Sequence, residues 1–600
     1  MKLFAPHQKD FYKADHRSQY PKGTEVIYSN FTARSGKHSN VPNSKGVLFV
    51  GLQLFIIDYL INEWNDSFFN KPKEEVVEKY RQRISKALNK DFDIKHIGEL
   101  HDLGYLPVSI KAMAEGSFVP YKVPVLTIKN TIPEFYWVTN MLESVLSCEL
   151  WPLITTATTY REYLKTFYEY AELTGSETSF VPFQAHDFSY RGMFGREAAA
   201  KSGLAGLLTG SMGTDCIPAI DLAEEYYPNP EEFKDEFIAG SVSATEHSVM
   251  GSNIELLVNS NMSRSDAEMQ DFKELITETY PDGIVSIVSD TFDFWNVVTE
   301  ILPKLYKEVV SRNGKLVIRP DSGSPVKILC GNLEFTDYDS TDSNLPKFKS
   351  LKQIEEYLVE EEFSVDDGWR SNSDDTETKT DIHYFRFKDT YYKFEQVSNY
   401  ICNSDWNGLE GYCHLQDTSH TLEIYNRTPQ EKGLVECLWE IFGGNLTHKG
   451  YKVLNEKIGA IYGDSITLDI QKKILEKLKS KGFASSNVVL GVGSFSLTYV
   501  TRDSHGFAMK ATSAIIDGKR IDIYKDPKTD DGTKKSAKGL LMVTNINGTF
   551  ELMDQVTPKE EARGCLEKVF ENGKLLKNYS LMEVRNLVKS GIDREIVKNC

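Results

Sequence analysis

The chain lacks an apolar run long enough to span a bilayer. Its longest, Gly46 to Ile61, is broken by Gln53 and Asp58 and falls short of the roughly 20 apolar residues of a membrane helix. The N-terminal stretch MKLFAPHQKD has no apolar signal-peptide core, so the sequence predicts a cytoplasmic protein with no membrane partner. A basic surface is missing as well. The formal net charge is −18, which argues against general nucleic-acid binding because counterion release needs an excess of cations. Any anionic ligand must find a local basic cluster. The eight cysteines, scattered from Cys148 to Cys600, contain no C-x-x-C pair, so they read as reduced thiols and not as a disulfide framework. No G-x-G-x-x-G follows a strand, and there is no short-period repeat or low-complexity tract.

What is present is a recurring unit. With 600 residues there is room for two or three domains, one of them a barrel. Four apolar segments stop at polar, ligand-capable residues: Val285 to Asp290, Leu316 to Asp321, Ile458 to Asp464 and Val488 to Gly493. Each reads as a buried strand ending in a turn. Looser versions end at Asp187, Asp215 and His247, and helical patterns lie between, from Phe294 to Leu305 and from Ile470 to Leu478. The markers Asp187, Asp215, His247, Asp290 and Asp321 follow one another at 28, 32, 43 and 31 residues, and Asp464 and Ser494 are 30 apart. A βαβ unit repeats at about 30 residues. Only the step from Asp321 to Asp464, 143 residues, breaks the spacing.

The expected architecture is therefore α/β, a (β/α) barrel from residues 181–330 and 431–505, interrupted by an acidic α+β module at 331–430. That module holds strand-like His383 to Lys388 and Tyr391 to Phe394 and a short helix near 350–363. Residues 1–180 and 506–600 lack the repeat and are expected to form a second α+β domain from both chain ends. A doubly wound sheet is the alternative, and the missing glycine fingerprint counts against its dinucleotide-binding form.

The strand ends supply Asp187, Arg191, Asp215, Glu246, His247, Asp290, Arg319, Asp321, Asp464 and Arg502. Arginines hold phosphates by bidentate hydrogen bonds, and carboxylates beside them suit ribose hydroxyls or Mg²⁺. The turn Gly491-Val492-Gly493-Ser494 offers backbone N–H groups to a phosphate. Taken singly, each has a bland reading: Asp187, Asp215 and Asp290 as helix N-caps, His247 as a buried hydrogen-bonded histidine, Arg319 as the ion partner of Asp321.

Taken in order, the segments resemble the motif set of the nicotinamide phosphoribosyltransferases. The matching stretches are Asp10 to Lys13, His186 to Gly192, Gly213 to Asp215, Glu246 to Ser248, Val288 to Asp290, Ile318 to Gly323, Gly463-Asp464, Thr501 to Asp503 and Lys525 to Pro527. The resemblance implies a type II phosphoribosyltransferase fold, an irregular barrel plus the domain from both chain ends, in a homodimer with shared active sites. It implies that Phe188, and Tyr12 of the neighbouring subunit, sandwich nicotinamide, with Asp215 accepting from its amide. Arg191 and Arg319 would hold the pyrophosphate of phosphoribosyl pyrophosphate, and Asp321 and Asp464, next to Gly463, would orient ribose hydroxyls. Ser494 and Arg502 would contact the 5′-phosphate, and Ser286 belongs to the same substrate set. His247 would be phosphorylated by ATP, with Asp290 fixing its ring, Glu246 beside it and Mg²⁺ as cofactor.

The chain departs from the pattern at Gly463-Asp464-Ser465 and at Gly491 to Phe495, both in the phosphate and ribose cradle. Cys402, Cys413, His414 and His420 match no common zinc spacing, and the module is expected to fold without metal. Two other functions fit the same residues: a nicotinate phosphoribosyltransferase, against which Asp215 counts by charge repulsion, and a non-catalytic nucleotide sensor, against which the joint retention of His247, Asp290, Arg319 and Asp321 counts.

Overall fold

A computed structural model describes residues 3–339, 344–362, 370–371, 376–403, 411–463, 465–529, 535–546 and 548–599. The chain forms two compact units, Met1–Ser243 with Ile461–Lys472 and Val488–Cys600, and Ala244–Ala460 with Lys473–Asn487.

The first unit is built on a seven-stranded antiparallel sheet to which both chain ends contribute. Thr24–Thr32 pairs with Ala508–Ile516 on one side and Pro124–Asn130 on the other, and Val108–Ala112 pairs with Glu567–Glu571. Strands from both chain ends thus share one sheet, and two-stranded sheets Gly46–Phe49 with Ser117–Pro120 and Leu540–Ile546 with Thr549–Val556 accompany it. Its core takes Phe31, Val108, Ile110, Leu126 and Ile128 from the early strands, Phe570 from a late one and Phe507 from just before Ala508–Ile516, all at most 1 % exposed. Removing such apolar surface from water contributes about 25 cal/mol per Å². The C-terminal helix Leu581–Asn599 is fixed by Arg585, whose partly buried guanidinium donates to the carbonyls of Leu207 and Ile238, and by the Arg161–Glu595 ion pair at 2.6 Å. The same unit holds parallel strands Ala185–Asp187 and Val488–Val492, in register Ala185 with Leu490 and Asp187 with Val492, and parallel bridges from Asp187 to Thr214 and from Gly213 to Gly240.

In the second unit Asp282–Val288, Asn313–Arg319 and the start of Ile458–Tyr462 run parallel, with Val285 opposite Leu316, Ile287 opposite Ile318, and Ile458 opposite Leu316. Val285, Ile287, Leu316 and Ile318 have no exposed surface, which is why these segments read as unbroken apolar runs. The helical pattern after Asp290 is realised from Phe294 to Ser311, passing through a π-turn and a break at Leu305, and the pattern after Asp464 as Leu468–Ser480.

The inserted segment is an antiparallel meander of Thr376–Phe387, Thr390–Asn403 and Gly411–Ile424, edged by Thr336–Asp337 and Arg370–Ser371. Helix Leu351–Tyr357 packs Ile354 against Tyr338, Phe385, Phe387 and Phe394. The long strands correct one expectation. Cys402 and Cys413 stand opposite each other across Thr390–Asn403 and Gly411–Ile424 and are joined by a disulfide, so these two cysteines are not reduced thiols and are bonded to each other. Sheet register, not local spacing, brings them together. Among the described residues no group of three or more His, Cys, Asp or Glu side chains is placed to hold a metal, and no helix is long and apolar enough to cross a membrane.

Candidate functional site

In the first unit, two adjacent strand ends carry the aromatic and the acidic candidate. Phe188 follows Ala185–Asp187, and its N–H donates to the Val492 carbonyl at 3.0 Å. Asp215 follows Thr214, which bridges Asp187, and the Asp215 N–H donates to the Asp187 carbonyl at 3.0 Å. The space for the Phe188 ring depends on Gly491. A Cβ there would lie 1.8 Å from the Gly463 carbonyl oxygen and 2.6 Å from Phe188 Cδ2. The Asp215 carboxylate is held at Oδ1, which accepts from His186 Nε2 at 2.8 Å and from the Ser241 hydroxyl at 2.6 Å. The imidazole of His186 lies 4.5 Å from the Phe188 ring, centroid to centroid.

Asp187 has a different role. It is buried, accepts the Ser189 N–H at 2.9 Å and the Thr214 hydroxyl at 3.3 Å, and shapes the turn that presents Phe188. Burial pushes its carboxyl above the ordinary range, opposed by the bonds from Ser189. Asp187 is not the helix N-cap of its bland reading, since Ser189 holds that position before Tyr190–Gly192. Arg191 is exposed in the next turn, and Gly192 lets Ser494 approach: a Cβ on Gly192 would stand 1.9 Å from Ser494 Oγ. Arg191 and Ser494 therefore belong to touching segments. Asp464 lies outside the described residues.

Tyr12 and Arg502 line one cavity of about 420 Å³, also in the first unit, together with Asp10, Arg34, Lys510 and Lys525. Burial holds the Lys510 ammonium below its usual range; Glu143 opposes this, while Arg34, Lys525 and Arg502 add to it by like-charge repulsion. This is the local cation cluster that an acidic chain needs for an anionic ligand. Lys13, in the same motif as Tyr12, is buried against Glu143 at 2.6 Å. That pairing fixes the short helix carrying Tyr12, whose own ring is 60 % exposed.

The second unit gathers the histidine and its neighbours. His247 is the first residue of helix His247–Val258 and is half-exposed, contrary to the bland reading of a buried histidine. Its Nε2 faces two carboxylates, Asp321 Oδ2 at 3.8 Å and Asp290 Oδ1 at 3.9 Å, and its Nδ1 meets the Thr291 hydroxyl at 3.1 Å. Asp290 is no N-cap; that place is taken by Asp293, which accepts from Trp295 and Asn296. Asp290 Oδ2 instead accepts the Asp321 N–H at 2.9 Å and the Ser322 hydroxyl at 2.6 Å, so it orders the loop after Asn313–Arg319, while its Oδ1 is buried without a protein hydrogen bond. Arg319 donates to the Thr245 carbonyl and, among the described residues, makes no ion pair with Asp321. Thr245 in turn is stitched to Asp282–Val288 by its N–H to Ser286 and by Val288 N–H to its hydroxyl, each 3.0 Å. The strands thereby fix where His247 begins its helix. The Ser286 hydroxyl is buried and unpartnered in the protein, and Glu246 is exposed and accepts from Ser248.

Sequence reasoning did not single out His186, Ser241, Thr291, Arg34 or Lys510. His186 adjoined a quoted marker, and Thr291 followed one; Arg34, Ser241 and Lys510 carried no local signal.

Comparison with known proteins identifies the family. The chain matches the model of the nicotinate phosphoribosyltransferase (NAPRTase) family over residues 183–365 and 419–574, and that of the nicotinamide phosphoribosyltransferase N-terminal domain over 6–110. It is 42 % identical to a nicotinamide phosphoribosyltransferase of Acinetobacter baylyi over 96 % of this chain and 95 % of that protein, and 28 % identical to one of Mycoplasma pneumoniae over 88 % and 93 %. The solved structure of nicotinate-nucleotide pyrophosphorylase from Pyrococcus furiosus is similar with TM-score 0.48 at 13 % identity, over 98 % of this chain and 95 % of that one. The mixed α/β fold expected from the strand spacing, with its parallel strands and its domain from both chain ends, is the one found. With a match spanning nearly the whole of a curated relative, the chain belongs to the nicotinamide phosphoribosyltransferases within the nicotinate phosphoribosyltransferase family.

Proposed function

We propose that the chain transfers phosphoribosyl from phosphoribosyl pyrophosphate to nicotinamide, giving nicotinamide mononucleotide and pyrophosphate for NAD salvage. The observation that carries this reading is the pairing of Phe188 and Asp215 at neighbouring strand ends. A flat ring lies beside an oriented carboxylate, which suits a heterocyclic amide and repels a heterocyclic acid. Phe188, with Tyr12 of a second copy, stacks the pyridine ring, and Asp215 accepts from the amide NH₂. As the bond from C1 to pyrophosphate breaks, the electron pair leaves with pyrophosphate and the pyridine nitrogen attacks an oxocarbenium-like carbon. Catalysis then rests on charge neutralisation and alignment. Arg191, Arg319 and the cations around Tyr12 neutralise the leaving group, Asp321 and Asp464 orient the ribose, and Ser494 and Arg502 seat the 5′-phosphate. Ser286, buried with an unpartnered hydroxyl, stays in the substrate set.

ATP stimulation through His247 is part of the same proposal. Nε2 faces the carboxylates of Asp290 and Asp321 at 3.9 and 3.8 Å, which favours the tautomer with its proton there and the lone pair on Nδ1. That nitrogen attacks the terminal phosphorus of ATP, and ADP leaves. The phosphoryl group then stands at the first turn of His247–Val258, where the helix dipole and backbone N–H groups favour an anion. Glu246, immediately before it, bears on the same turn. Asp290 and Asp321 would supply hard oxygen donors for Mg²⁺, and Asp290 Oδ1, buried without a protein hydrogen bond, fits such a role. Mg²⁺ commonly takes one or two carboxylates and completes its shell with phosphate oxygens and water, and it would lower the charge of the bound phosphates. We further propose a cytoplasmic homodimer, since Tyr12 is largely exposed in its cavity and a second ring is needed to close the pyridine sandwich.

The test is product formation from phosphoribosyl pyrophosphate and Mg²⁺ with nicotinamide or nicotinate, with and without ATP. Nicotinamide mononucleotide made in preference, and stimulated by ATP, is expected. Preference for nicotinate would establish the acid-using enzyme, and no product from either base would establish a binding protein on this fold.

A further inference from the structure

The residues that hold Asp215 are assigned no part by the family resemblance, and their geometry is specific. His186 Nε2 and Ser241 Oγ both reach the same carboxylate oxygen, at 2.8 and 2.6 Å, and lie 3.5 Å from each other. An ionised carboxylate accepts only, so the imidazole carries its proton on Nε2 and Ser241 turns its hydroxyl proton to Asp215. The other imidazole nitrogen faces the backbone of Gly213, where a Cβ would lie 2.7 Å from Nδ1. The ring is thus wedged between Gly213 and Phe188, and its side chain is 9 % exposed against 44 % for Asp215. Gly213 and Asp215 sit on one strand end, which Asp187 and Gly240 bridge on either side. A buried donor therefore aims an exposed acceptor, and the strand bearing the acceptor clamps the donor.

We propose that His186 and Ser241 are positioning residues that set the direction and the ionised state of the Asp215 carboxylate, and so determine the preference for an amide over an acid at the pyridine site. The proposal rests on the reading of Asp215 as acceptor from the amide. Two donors on Oδ1 restrain rotation of the carboxylate about its last bond and favour its charged form. Without them the carboxylate loses two of the donors that fix its direction and favour its charge, and its repulsion of a carboxylate substrate weakens. Neither residue touches the reacting atoms; they act through Asp215.

The experiment compares the parent with His186→Leu, His186→Gln, Ser241→Ala, Asp215→Asn and the His186→Leu/Asp215→Asn double variant of the full chain. It measures kcat and KM for nicotinamide and nicotinate, KM for phosphoribosyl pyrophosphate, and Tm. His186→Leu is expected to raise KM for nicotinamide roughly tenfold or more, to narrow the amide-to-acid preference, and to leave KM for phosphoribosyl pyrophosphate unchanged. His186→Gln, which keeps a donor at the Nε2 position, recovers part of the loss, and the double variant is no worse than Asp215→Asn alone. Ser241 is exposed, so Ser241→Ala tests the same carboxylate without disturbing the core should His186→Leu lower Tm. If Asp215→Asn narrows the preference while His186→Leu and Ser241→Ala do not, or if the double variant shows additive losses, the positioning role is overturned and the reading of Asp215 stands. If none of the variants changes the preference, the reading of Asp215 fails and the proposal fails with it.

Discussion

Gly192 and Ser494 give a test in which stability and substrate binding separate. A Cβ on Gly192 would lie 1.9 Å from Ser494 Oγ and 2.6 Å from Ser494 Cβ, so the two segments must part by about 1.5 Å to regain ordinary contact. Overpacking of this kind costs about 1–3 kcal/mol, and a shift of about 1 Å at a positioning residue costs on the order of 10²-fold in rate. Gly192→Ala is therefore expected to lower Tm and to reduce kcat/KM for phosphoribosyl pyrophosphate. Adding Ser494→Gly removes both clashing atoms and leaves the Ser494 Cα at 4.0 Å as the nearest neighbour. The double variant should regain the parent Tm. It should not regain the parent KM for phosphoribosyl pyrophosphate, because a hydroxyl bond to a charged phosphate, about 1.5–3 kcal/mol or roughly 10- to 150-fold, is gone. Differential scanning calorimetry and initial-rate kinetics on the parent, Gly192→Ala, Ser494→Gly and double variants give both readouts. A Gly192→Ala chain with parent Tm and kinetics, or a double variant as unstable as the single one, would refute the packing argument; full recovery of KM would remove Ser494 from the phosphate cradle.

His247→Ala should abolish stimulation by ATP while basal transfer persists, and Thr291→Val should weaken stimulation only; incubation with γ-labelled ATP shows which chain takes up phosphate, and labelling of His247→Ala would assign the phosphoryl group elsewhere. Glu268 is 2 % exposed and its carboxyl is raised from 4.5 to about 7, first by burial, then by Asp293 and Asp271, with Arg264 opposing. The folded chain thus binds this proton more tightly than the unfolded one. The associated stability is present below the unfolded value, is lost as pH rises towards about 7, and stays lost above it. Glu268→Gln should be more stable than the parent by about 1–3 kcal/mol near pH 8 and not near pH 4; an equal effect at both pH values in thermal unfolding would contradict the assignment. Mass spectrometry after alkylation in denaturant should show two fewer modified cysteines without reductant than with it, and peptides carrying free Cys402 and Cys413 in the unreduced sample would show that the pair is open.

The strands of the second unit were legible because Val285, Ile287, Leu316 and Ile318 are covered on both faces, which leaves a continuous apolar run that no surface strand would carry. The inserted segment was legible as α+β from His383 to Phe394, but its strands run beyond those marks to Thr376 and Ile424, since its solvent-facing positions are polar and hide the alternation. The disulfide was invisible for a related reason. Cys402 and Cys413 are separated by 11 residues, a spacing with no meaning by itself; they meet because the register running from Tyr392 opposite Ile424 to Asn403 opposite Tyr412 places them together. Register is a property of two strands and a turn, and neither cysteine encodes it.

At the site the decisive variable was strand parity. Asp187 read as a candidate binding group or a helix N-cap, while its neighbour His186 carried no reading of its own; the structure buries both and gives them different partners. Successive residues of a strand point to opposite faces. Asp187 therefore turns inward, where Ser189 and Thr214 satisfy it and Tyr160 lies beside it, and His186 turns towards Asp215 and Ser241. Displacing the boundary of this three-residue strand by one position would exchange the two roles. Boundaries read from apolar runs are uncertain by more than that, so the sequence could mark this strand end as a site without deciding which of its two polar residues serves it. Parity becomes readable only through the partners: Ser241 lies 55 residues from His186, and the Gly213 backbone that wedges the ring belongs to a different strand.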